Sequence, residues 1–107
     1  MKKIILSTLL LGGYFAEAQS LKDAIKLSEN EQFYAATRAF RNLIQQQPTV
    51  GENYFYLGEN YFKSEKLDSA QLAYSKGKEA NGSNPINYVG IGKVDWYNSK
   101  FDAAKAN

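Results

Sequence analysis

From residue 52 onward the apolar residues fall on helical spacing. Tyr54, Leu57 and Tyr61 stand at i, i+3 and i+7, which gathers them on one face of a helix over residues 52–63 instead of alternating them across a strand. Leu67, Ala70 and Tyr74 repeat the spacing, and Asp68 sits where the positive end of a helix dipole favours an anion. Between the two segments lies only Ser64-Glu65-Lys66, a tight polar turn, so the two helices must run antiparallel. Asn81-Gly82-Ser83 ends the second helix. Asn84-Pro85 opens the next, because asparagine caps free N–H groups and proline tolerates the first helical position. One unit earlier, Gln45-Gln46-Gln47-Pro48 stops a helix in the same way.

The pattern is periodic. Shifting the chain by 34 positions sets residues 51–73 on 85–107, and six of those 23 pairs are identical: Asn53/Asn87, Tyr54/Tyr88, Gly58/Gly92, Lys66/Lys100, Asp68/Asp102 and Ala70/Ala104. Average composition would give about one or two. Leu57/Ile91, Phe62/Trp96 and Leu67/Phe101 are conservative matches without a gap. One period earlier, Glu31, Ala36, Ala39 and Phe40 meet Glu65, Ala70, Ala73 and Tyr74.

A 34-residue unit of two helices with this order of aromatic, large apolar and small residues resembles the tetratricopeptide repeat. In residues 51–84 the family's positions read Tyr54, Leu57, Gly58, Tyr61, Ala70, Tyr74 and Gly77. The third unit, residues 85–107, keeps Tyr88, Ile91, Gly92 and Ala104 but has Asp95 where an aromatic belongs. The first, residues 19–50, carries Ala24, Leu27, Ala36, Phe40, Leu43 and Pro48. The resemblance implies an all-α fold, antiparallel helix-turn-helix pairs stacked as a short right-handed α-solenoid. Its last repeat is expected to be incomplete, with a second helix that begins at Phe101. Close approach of paired helices is expected at Gly58 and Ala70, with Tyr54, Tyr61 and Tyr74 filling the space around that contact.

Arrays of this family hold peptides or helices of partner proteins in a concave groove lined by the first helix of each unit. Once the packing positions are set aside, Phe55, Glu59 and Phe62 remain in the second unit, with Val89, Lys93 and Trp96 aligned to them in the third. These six are the candidate groove residues. Phe55 and Glu59 depart from the basic and asparagine residues with which some members clamp a terminal carboxylate, so that clamp is not expected.

Residues 1–18 read as an address. Met1-Lys2-Lys3 is a positive start, Ile4 to Phe15 is mostly apolar, and Ala16-Glu17-Ala18 offers small residues for cleavage. A dozen apolar residues fall short of the roughly 20 that span a bilayer. Cleavage after Ala18 is expected, giving an exported protein, periplasmic or envelope-associated or else extracellular, with the membrane only as the export route. Removing Lys2, Lys3 and Glu17 leaves 11 basic and 10 acidic residues. These are interspersed, so nucleic acid is not an expected partner. Histidine and cysteine are absent, which removes the usual nucleophile and base pairs, thiolate metal sites and disulfides. No phosphate-cradling glycine loop is present either: Gly12-Gly13 lies in the signal, and Gly90 and Gly92 lie in a predicted helix. No catalytic residue, cofactor or metal is expected.

The expected partner is a protein or peptide, in the assembly of an envelope or secretion complex. The alternative expectation is an N-terminal arm of a larger envelope protein whose enzymatic or cell-wall-binding activity lies beyond residue 107. A third is a structural module without a peptide ligand. If the chain ends at Asn107, marginal stability, self-association or completion by a partner is expected, because terminal repeats need a closing helix.

Overall fold

The computed structural model describes residues 20–106, and within them the protein is all-helical. The predicted export signal, residues 1–18, lies outside the described residues. Helix α1 occupies residues 20–29, α2 Phe33–Gln46, α3 Gly51–Lys63, α4 Leu67–Ala80 and α5 Ile86–Ala106. No described helix is long and apolar enough to cross a membrane.

The 34-residue period recurs in the backbone. At the end of α1, Gln32 N donates to Leu27 O at 2.9 Å and Glu31 N to Ser28 O at 3.0 Å. At the end of α3, Lys66 N donates to Tyr61 O at 2.9 Å and Glu65 N to Phe62 O at 3.1 Å. Each bond has its counterpart 34 residues on. Both pairs are the crossed bonds that satisfy the last carbonyls of a helix, and they require the residue after the cap to be left-handed. Glu31 and Glu65 have φ of 62° and 65° accordingly. Loops between units repeat as well: Gln47 N to Leu43 O and Val50 N to Gln47 O are matched by Asn81 N to Gly77 O and Asn84 N to Asn81 O. The predicted Asn84 cap forms, its Oδ1 accepting from Ile86 N at 3.1 Å.

Packing follows the same order. Helix α3 packs on α2, α4 and α5, and α4 packs on α5, while the backbones of α2 and α4 stay further apart. Ala24, Ala36, Phe40, Leu43, Leu57 and Ala73 form one buried cluster, and Ala70, Tyr74 and Val94 form the next. Asn60 pins α3 to α2, its Nδ2 donating to Thr37 Oγ1 at 2.8 Å and to Phe33 O at 3.1 Å. Tyr54 ties the connecting loop down through a 2.6 Å bond to Pro48 O.

Tyr74 is the centre of the second half. Its ring is fully buried between two helix backbones, because a Cβ at Gly58 on α3 or at Gly90 on α5 would overlap it. The small residue at position 58 therefore admits a ring from α4, where the sequence pattern suggested contact with Ala70. Gly90, not the repeat-aligned Gly92, makes the matching approach from α5.

The third unit departs from its expected form. Where a turn at residues 98–100 and a second helix from Phe101 were expected, α5 continues unbroken to Ala106. A reversal at residues 98–100 would break several helix bonds and require a second nucleation, which the continuous helix avoids. Tyr88 and Gly92 consequently lie open: Tyr88 is exposed, and a Cβ at Gly92 would meet no atom beyond its own helical turn.

Candidate functional site

The six groove residues lie on α3 and α5 at matched spacings, Phe55, Glu59 and Phe62 on one helix and Val89, Lys93 and Trp96 on the other. Their environments divide them. Glu59 and Lys93, one period apart, join across the helices, with Lys93 Nζ at 3.1 and 3.0 Å from the two Glu59 carboxylate oxygens. The Tyr74 hydroxyl donates to Glu59 Oε1 at 2.6 Å. Both oxygens of this carboxylate are thus occupied. Burial first, then the hydrogen bond to Glu59 and its negative charge, pushes the Tyr74 phenol far above the ordinary tyrosine range.

Aromatic rings frame the ion pair. Lys93 Nζ lies 4.2 Å from the centre of the Phe62 ring, and Tyr97 meets the edge of that ring at 5.7 Å. Phe55 packs against Tyr74 at 5.8 Å and Tyr56 at 5.2 Å. Phe55, Glu59, Phe62 and Lys93 are therefore drawn into the joint between α3, α4 and α5. Val89 and Trp96 are not: they remain 66% and 63% exposed. Trp96 carries the ammonium of Lys100 over its ring at 4.9 Å, a contact available equally to a ligand cation.

The resulting surface carries one matched ion pair, with an aliphatic and an indole side chain standing clear of it. Large apolar groups exposed together on a helix are what a partner buries. Chemistry of the catalytic kind finds few groups here, since Glu59 is held by Tyr74 and Lys93. Among the described residues no three His, Cys, Asp or Glu side chains cluster to hold a metal ion.

Sequence reasoning missed Tyr97, which covers Phe62 from α5, and it treated Glu59 and Lys93 as separate contacts. Opposite charges at matched positions of adjacent repeats were the available signal for that pair. The chain matches no protein-family model, and none of the curated proteins matches it.

Proposed function

We propose that the chain is an exported scaffold of the tetratricopeptide type, and that it holds a peptide or helix of a partner protein on the surface formed by α3 and α5. The observation that carries this reading is the stripe repeated one period apart, in which Val89 and Trp96 stand exposed beside the bound pair of Glu59 and Lys93. The recurrence of turn and loop hydrogen bonds at 34 residues supports the repeat assignment. Residues 1–18 support export. In this role Val89 and Trp96 are the anchors. Glu59, Lys93, Phe55 and Phe62 keep the two helices at a fixed separation, so that little ordering cost falls on binding. No step of the proposed function calls for catalysis or a cofactor.

A photo-crosslinking amino acid placed at 89, 96 or, as a control, at the exposed Lys22 of α1 tests the site in living cells. Adducts from 89 and 96 but not from 22 are expected. Equal yields at all three positions, or none at any, would contradict the assignment. Mass spectrometry of the fractionated protein tests export, with Gln19 expected at the mature N-terminus.

A second reading, an arm of a longer helical array, draws support from the open Tyr88 and Gly92 face. Its counterpart on α3, Tyr54 and Gly58, is covered by α4. Sequencing the transcript across the codon of Asn107 separates the two.

A further inference from the structure

Helices α2 and α4 both pack on α3 with their own backbones further apart, and a groove runs along α3 on a different face from the ion-paired platform. Its floor is α3, and it consists of two cavities of about 260 and 240 Å³ that share Arg41 and Tyr61. Ile44, Leu57 and Leu72 give the first an apolar lining, and Phe33 and Tyr34 border the second. At the waist between them Arg41 Nη2 donates to the Tyr61 hydroxyl at 2.9 Å. A guanidinium has five N–H donors, so this single bond leaves most of them for a ligand.

The charge of the groove is one-sided. Lys76 stands at one end, Arg41 at the waist and Lys66 at the other end, and no Asp or Glu lines either cavity. None of the three cations forms an ion pair among the described residues. In a mature chain with almost equal numbers of acidic and basic residues, that is a local separation of charge. The surface also exposes Leu72 and Tyr34.

We propose that this groove docks an acidic segment of a partner protein, in which a carboxylate engages Arg41 and an apolar side chain on each side of it enters one cavity. The carboxylate and guanidinium would pair through two parallel hydrogen bonds, which fixes the register of the segment. Lys66 and Lys76 favour further acidic residues toward its ends. This surface is separate from the Val89 and Trp96 face, and either can fail without the other.

Selection from a library of random 12-residue peptides displayed on phage, using the intact mature chain, tests the proposal, followed by fluorescence anisotropy on the enriched peptides. Expected winners carry Asp or Glu flanked by Leu, Ile, Val or Phe. Their affinity should fall at least about tenfold in an Arg41→Gln, Lys76→Gln double variant and in Leu72→Glu, and it should weaken as salt is raised. These positions are exposed, and circular dichroism checks that the variants stay folded. Trp96→Ala should leave the affinity unchanged. Winners whose binding Trp96→Ala abolishes belong to the other face; among the rest, basic or uncharged sequences, no enrichment over an unrelated protein, or binding that survives the double variant would overturn the proposal. So would capture of phosphatidylglycerol vesicles by the same three cations in the absence of peptide binding, which would make the groove a lipid-surface site.

Discussion

Helices α3 and α5 carry the same sequence pattern and meet different fates. Tyr54 and Gly58 on α3 are covered, Gly58 by the ring of Tyr74, whereas their partners Tyr88 and Gly92 on α5 are open; between them, Leu57 is buried and its partner Ile91 half-buried. A neighbouring face of the two helices behaves alike. Asn53 and Asn60 on α3 are buried, Asn60 against α2, and so are Asn87 and Val94 on α5, Asn87 against Gly51 and Val94 against Ala70 and Tyr74. A repeat position thus specifies where a side chain points. Whether it is buried depends on the helix that follows.

The largest effect expected on this comparison comes from Tyr74, the link between the two helices. Tyr74→Ala would empty the slot between Gly58 and Gly90 and release Glu59, at a cost of about 3–5 kcal/mol. Chemical denaturation would read this as unfolding at much lower urea. A loss under about 1 kcal/mol would mean that the two backbones do not depend on the ring for their spacing.

Alkaline pH gives the next effect. A free phenol ionises near pH 10, while folded Tyr74 keeps its proton to higher pH. The folded pKa is raised, so the stability it contributes is intact below about pH 10 and is lost as pH rises further, at up to about 1.4 kcal/mol per pH unit. Tyr74→Phe should flatten the decline between pH 10 and 11, since it removes this ionisation and leaves the other tyrosines in place. Identical slopes for the two proteins would place the buried hydroxyl in contact with solvent.

A smaller effect of opposite signs is expected at the repeat-matched positions 65 and 99. Glu65 is left-handed in the turn after α3, so Glu65→Gly should stabilise by about 0.5–1 kcal/mol. Ser99 lies within the unbroken α5, so Ser99→Gly should destabilise by about 0.5 kcal/mol. Thermal melts of the two single variants measure both. Stabilisation by glycine at both positions would mean that α5 turns at residue 99 after all.

Much of this architecture is legible in the residues themselves. Period-3.6 spacing and the polar breaks locate α3 and α4 within a residue of their ends, because local propensity, turn chemistry and packing agree there. The Asn84-Pro85 start is legible for the same reason. What escapes is decided between helices. Gly92 matches Gly58 in sequence, yet it lies open, and it is Gly90, aligned with Tyr56, that meets the Tyr74 ring from the following unit, a contact the match to Gly58 does not signal. The unbroken α5 escapes too, since Asn98-Ser99-Lys100 aligns with a turn whose formation depends on what packs afterwards. At the candidate site the stripe of six was visible as a stripe. Its division into two exposed anchors and a bound ion pair required knowing that Glu59 and Lys93 face each other.

The claim that one pattern yields a covered face on α3 and an open one on α5 is tested most directly by adding the same methyl group to both. Equilibrium denaturation of Gly58→Ala and Gly92→Ala, compared with the parent protein, reads the difference. At position 58 the methyl overlaps the Tyr74 ring, and stability should fall by about 1–3 kcal/mol. At position 92 it meets open space and improves helix propensity, for a gain of about 0.5–1 kcal/mol. Losses of similar size at both positions would contradict the account, because they would show that the α5 face is covered as the α3 face is.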